Sequence, residues 1–124
     1  MSGASLLIVD DESDVRQMLR LVLAALGWTI EEAACGEDAL ERCRRLPPPS
    51  AVILDHRMPP GPSGMEVVRR LSGEGFDAPI VLHSAHFTPE VEQEAKANGI
   101  AMIAKGEMRA LLRALPQPAA PGRS

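Results

Sequence analysis

Apolar residues fall into two rhythms along this chain. Five short segments, 6–9, 29–33, 51–54, 79–84 and 101–104, are for the most part apolar without interruption rather than alternating. Strands of a parallel sheet covered by helices on both faces have that pattern. The stretches between them carry helical spacing instead. Val15, Met18, Leu19, Val22, Leu23 and Leu26 form one stripe, with Ser13 placed as its cap and Gly27 as its stop. A second helix is expected over 37–45, ending before Pro47-Pro48-Pro49, which cannot continue a helix. A third is expected over 64–71 and a fifth over 107–115. The fourth has Thr88 as cap, Pro89 at its first helical position and Gly99 as its stop. Strands and helices that alternate with short links predict right-handed crossovers. The expected fold is α/β, a (βα)5 doubly wound parallel sheet of five strands in the order 2-1-3-4-5.

Composition narrows the class. The 124 residues have the size of one domain with one core, and 45% hydrophobic with 24% charged residues is an ordinary globular balance. Thirteen Lys and Arg against seventeen Asp and Glu give a net charge of −4. That leaves no basic surface of the kind phosphate backbones require, so no direct nucleic-acid partner is expected. The longest apolar stretch, 21–30, is too short to cross a bilayer. The first residues lack a basic start followed by an apolar run. No membrane partner and a cytoplasmic location are therefore expected. Cys35 and Cys43 have no Cys or His in metal spacing and read as free thiols. Residues 1–115 are expected to form the domain, and 116–124, rich in Pro and Ala, a flexible tail or the start of a linker.

In an open α/β sheet, ligands bind in the crevice at the carboxyl ends of the strands. That rule selects Asp10 and Asp11 after the first strand, Asp55 after the third, Ser84 ending the fourth and Lys105 after the fifth. Strands one, three, four and five are neighbours in the expected order, so these residues converge. Three carboxylates in proximity call for a counter-ion, and few ligands plus retained waters suit Mg²⁺. A hydroxyl and an ammonium opposite would hold an anion. The set reads as a phosphoryl site with a carboxylate nucleophile. Each residue also has a plainer reading. Asp10-Asp11-Glu12 is an acidic start to a helix that complements its dipole, Ser84 ends a strand, and Lys105 is a solvated charge. Those readings leave the convergence unexplained. His83, alternating away from Ser84 in an apolar strand, reads as a packed core histidine.

The segments Leu7-Ile8-Val9-Asp10-Asp11-Glu12, Val52-Ile53-Leu54-Asp55 followed by Met58-Pro59, Ser84-Ala85 and Lys105 resemble the receiver domains of bacterial response regulators. The resemblance covers about residues 5 to 115 and implies a flavodoxin-like, CheY-like fold in a two-component phosphorelay. It implies that Asp55 takes a phosphoryl group from a histidine kinase or a histidine phosphotransfer protein. Asp11, Asp55 and the backbone carbonyl of Arg57 would bind Mg²⁺, with Asp10 assisting through water, and Ser84 and Lys105 would contact the phosphoryl oxygens. On this reading the chain is a signalling module rather than an enzyme. It is either a stand-alone receiver or the front of a longer regulator, and phosphorylation alters its binding to a downstream protein.

Four positions depart from the usual receiver. Gly106 follows Lys105 where proline is usual, so the cis peptide common there is not expected, because cis without proline costs about 3 kcal/mol. Met102 stands where a tyrosine or phenylalanine switch usually stands. The segment Pro59-Pro60-Gly61-Pro62-Ser63 is one residue longer than usual and is expected to stiffen the loop over the site. Arg57 and His86 occupy the positions that flank the path of attacking water, and are expected to tune the lifetime of the phosphorylated state. Two other functions compete with this one. A phosphatase of the haloacid dehalogenase type would need a second Asp where Arg57 stands. A non-phosphorylated scaffold of receiver shape would account for Met102 and Gly106 but not for the acidic set.

Overall fold

The computed structural model describes residues 4–118. Five strands and five helices alternate: β1 Ser5–Val9, α1 Ser13–Ala25, β2 Thr29–Ala33, α2 Gly36–Arg44, β3 Ala51–Leu54, α3 Gly64–Gly73, β4 Ile80–Ser84, α4 Pro89–Ala97, β5 Ala101–Ala104 and α5 Met108–Ala114. All strand pairs are parallel, and the order β2-β1-β3-β4-β5 is the expected one. Alternation along the strands divides the core in two. Leu6, Ile8, Ala51, Ile53 and Val81 pack with Leu19 and Leu23 of α1 and Leu111 of α5. Leu7, Val9, Val52, Leu54 and Leu82 pack on the other face with Leu40 of α2, Val67 and Leu71 of α3 and Ala95 of α4. The central strands β1, β3 and β4 are buried on both faces, which is why their sequences are apolar runs. Edge strand β2 instead carries Glu31 and Glu32. Arg42 pairs with the first, and Arg16 and Arg20 with the second.

Helix ends differ from the expected ones for local reasons. Ser13 does not cap α1 but is its first residue. Glu12 is the N-cap, extended at φ −94°, ψ 114°, because its backbone N–H donates to Asp10 Oδ1 at 2.9 Å and turns the chain one residue early. Helix α2 spans Gly36–Arg44 rather than 37–45, since Arg45 is already extended ahead of the prolines. Helix α3 runs two residues further than expected, and Glu74 N–H closes its end on the carbonyl of Arg70. Strand β4 starts at Ile80, not Pro79. Helix α5 is shorter by one residue at each end, with Glu107 as N-cap. Thr88 does cap α4, accepting from Val91 N–H, with Pro89 at the first position. Trp28, at the amino end of β2, is 5% exposed. Of the expected tail, 116–118 lie near it, and Pro118 packs on Gly27. Residues 119–124 of that tail lie outside the described residues.

Candidate functional site

The sheet's own hydrogen bonds continue one step past the strands and fix the backbone of the residues that matter. Asp10 N–H donates to Ala33 O at 3.1 Å, Asp55 N–H to Val9 O at 2.9 Å, and Lys105 N–H to Ser84 O at 3.0 Å. These side chains are therefore held by the sheet rather than by a loop. Asp10, Asp55 and Ser84 are buried, at 1%, 3% and 2% exposure, while Asp11 is exposed. Asp10, Asp11 and Asp55 each offer a carboxylate oxygen within 4.8 Å of the others. Lys105 Nζ faces them, 3.1 Å from Asp10 Oδ2 and 3.4 Å from Asp55 Oδ2. Asp55 and Lys105 line a crevice of about 280 Å³ together with Asp11, Glu12, Arg57, Pro59, Ser84, Ala85 and His86.

The electrostatics follow from that burial. Desolvation raises the Asp55 carboxyl above its ordinary pKa, and the charge of Asp10 adds to the rise; Lys105 and the Arg57 N–H, 3.4 Å from Asp55 Oδ1, counter it only in part. Burial also works against the charge of Lys105, but Asp10, Asp55 and Glu12 outweigh it and hold the ammonium protonated. Asp10 Oδ2 is buried, with the Lys105 ammonium 3.1 Å away as its ion-pair partner. Three clustered carboxylates, two of them buried, with one ammonium among them fit a hard divalent cation such as Mg²⁺.

The expected site residues thus come together, with one set apart. Arg57 and His86 line the crevice mouth. Met102 does not line it: it pairs with Leu82 across the sheet and packs on the core beneath α4. The Lys105–Gly106 peptide is trans, and Gly106 adopts φ +97°, a left-handed conformation that glycine takes without strain. His83 is the buried histidine expected, 3% exposed, with Nδ1 unpartnered. Cys43 is buried and its thiol is pushed up to about 11 by desolvation, which makes it inert. Sequence reasoning missed three residues. Glu12 has in the sequence only the look of an acidic helix start, yet it lies 3.2 Å from Lys105 Nζ. Gly64 and Gly36 carried no periodic signal, yet both seat the loop after Asp55. A β carbon on Gly64 would fall 2.5 Å from the Asp55 carbonyl oxygen, and one on Gly36 would fall 2.8 Å from Pro62 Cγ.

Burial lowers the pKa of His83, with Lys105 adding to the effect, and burial with Arg57 lowers that of His56. In the unfolded chain both titrate near 6.5. Between that value and the lowered ones the unfolded state binds more protons, so stability falls as pH drops below about 6.5. Urea midpoints at pH 7.5 and 5.5 should show the loss, and His83→Leu should reduce the difference. An unchanged difference in that variant would remove His83 as a cause.

Acids, a hydroxyl and a lysine thus gather at the carboxyl edge of a doubly wound sheet. Over residues 6–115 the chain matches the response regulator receiver domain, and it belongs to that family. Receiver domains are signalling modules of two-component systems. Phosphorylation at an aspartate is general among them, Mg²⁺ binds at their acidic site, and response regulators receive phosphoryl groups from histidine kinases. The response regulator MprA of Mycobacterium ulcerans (strain Agy99) is 41% identical over 80 residues, which are 64% of this chain and 34% of MprA. This chain thus matches about a third of the length of such relatives. The Vibrio cholerae chemotaxis protein CheY4 superposes with a TM-score of 0.77 at 30% identity, covering 90% of this chain and 98% of CheY4. The Thermotoga maritima response regulator TrrA, solved in complex with Mg²⁺ and BeF, gives 0.77 at 30% identity over 89% of this chain and 94% of its own. No helix among the described residues is long and apolar enough to cross a membrane.

Proposed function

We propose that Asp55 is the phosphoacceptor of this receiver, and that a histidine kinase or a histidine phosphotransfer protein is the donor. The observation that carries the reading is the convergence, at the carboxyl ends of four neighbouring strands, of three carboxylates within 4.8 Å with Lys105 beside them. An Asp55 carboxylate oxygen bonds to phosphorus as the bond from phosphorus to the donor imidazole nitrogen breaks. That nitrogen keeps the electron pair. Asp11, Asp55 and the backbone carbonyl of Arg57 would hold Mg²⁺, with Asp10 assisting through water. When bound, the ion neutralises the carboxylates so that a dianionic group can approach. Lys105 and Ser84 bind the phosphoryl oxygens, the first by charge and the second by its hydroxyl. TrrA, which holds Mg²⁺ with a phosphoryl mimic, supports the assignment.

Arg57 and His86, at the mouth, set how readily water reaches the phosphorylated Asp55. Residues 1–115 act as the receiver unit, with 116–124 as tail or linker, in the cytoplasm where donor kinases work. Met102, unbranched and adaptable, fills the space beside Leu82 in more than one packing with little cost, so the face of α4 and β5 responds less than an aromatic switch would. Incubation with acetyl phosphate, with and without Mg²⁺, tests the reading by intact mass. One phosphoryl group is expected, and a chelator should abolish it. A chain that gains none at any Mg²⁺ concentration would instead be a scaffold of receiver shape.

A further inference from the structure

Glu12 stands at the N-cap of α1, where a polar side chain ordinarily accepts a hydrogen bond from the first turn. It makes no such bond. Its backbone N–H is committed to Asp10 Oδ1, and its carboxylate lies 3.2 Å from Lys105 Nζ. The same ammonium lies 3.1 Å from Asp10 Oδ2 and 3.4 Å from Asp55 Oδ2. The three acids are not equivalent. Asp10 and Asp55 are buried members of the carboxylate cluster, whereas the Glu12 side chain is 64% exposed, lies outside that cluster and lines the crevice mouth.

We propose that Glu12 is a holding partner of Lys105, drawing the ammonium toward the mouth and competing there with an arriving phosphoryl group. This rests on the phosphoryl-site reading above. Lys105 must turn from carboxylates to phosphoryl oxygens. Asp10 and Asp55 gain a bound cation as replacement counter-charge, but Glu12, outside the cluster, gains none. The competition therefore falls on Glu12, a positioning residue that acts through Lys105 and weakens the hold of the site on the phosphoryl group.

The test measures beryllofluoride affinity at saturating Mg²⁺ for the whole chain, for Glu12→Gln, for Lys105→Met and for the double variant. An exposed pair of this kind is worth little, so Glu12→Gln should bind about two- to fivefold more tightly. Glu12→Ser, which restores a capping side chain to α1, should give the same gain. In the Lys105→Met background the gain should vanish. Unchanged or weaker binding in both Glu12 variants would overturn the proposal. So would a gain of equal size without Lys105, because Glu12 would then act on the anion directly. Failure of the unaltered chain to bind beryllofluoride with Mg²⁺ would overturn the phosphoryl-site reading, and this proposal with it.

Discussion

Gly64→Ala should destabilise the domain by about 3 kcal/mol and lower its melting temperature by roughly 10 °C. The cause is distance rather than backbone conformation. An added methyl would lie 2.5 Å from the Asp55 carbonyl oxygen and 2.9 Å from His56 Cα, and neither is the movable end of a flexible side chain. Gly64 N–H donates to His56 O at 2.8 Å, and the next residues are locked by a capping box between Ser63 and Glu66. Relief can come only by moving the start of α3 away from the end of β3, which strains the loop through Arg57 that joins them. Metal-dependent phosphorylation should fall along with stability. Thermal melts of the two proteins decide the matter: an alanine variant melting within a degree or two of the parent would mean that the helix start yields easily.

Asp55→Asn should act in opposite directions on function and on stability. Phosphoryl uptake, read by intact mass with acetyl phosphate and Mg²⁺, should disappear. The fold should gain about 1 kcal/mol, within the range usual for a single stabilising replacement. The sign comes from the raised pKa of Asp55, whose first cause is burial and second the charge of Asp10. A raised value means that folding disfavours the ionised carboxylate, so at neutral pH the native state bears that cost and the neutral amide removes it. From the raised value down toward the ordinary one near 3.8, the folded protein binds more protons than the unfolded chain. Asp55 therefore makes stability rise as pH falls through that window, and the amide lacks this response. Mg²⁺ should raise the melting temperature of the parent more than that of the variant, because a ligand stabilises in proportion to its hold on the native state. A variant less stable than the parent at pH 7 without Mg²⁺ would show that the Lys105–Asp55 contact outweighs desolvation.

Much of this was legible in the sequence because the sheet imposes a simple rule. Apolar runs identify β1, β3, β4 and β5, and the residues at or just past the end of each run are placed by the sheet, so Asp10, Asp55, Ser84 and Lys105 could be assembled from strand order alone. Strand β2 was legible despite Glu31 and Glu32, since Gly27 stops the helix before it. What the sequence hid depends on distances between side chains far apart in the chain. Glu12 and Lys105 meet across the mouth only because β1 and β5 flank the same crevice, and nothing in either local pattern announces the pair. The close seats of Gly36 and Gly64 were hidden for the same reason. The start of α1 moved by one residue where the Glu12 N–H found Asp10 Oδ1, and hydrophobic periodicity does not register such a bond.

The arginines along β2 have a consequence for how the molecule behaves in a crowd. An edge strand offers open backbone donors and acceptors to any passing chain, and charged side chains are one protection against that pairing. Here each glutamate of the edge already has a guanidinium partner, Arg42 on Glu31 and Arg16 with Arg20 on Glu32. A strand arriving at that rim would have to disturb these ion pairs before it could reach the backbone. The guard is electrostatic, so salt should loosen it, and concentrated solutions of the protein should stay clear longest where ionic strength is low.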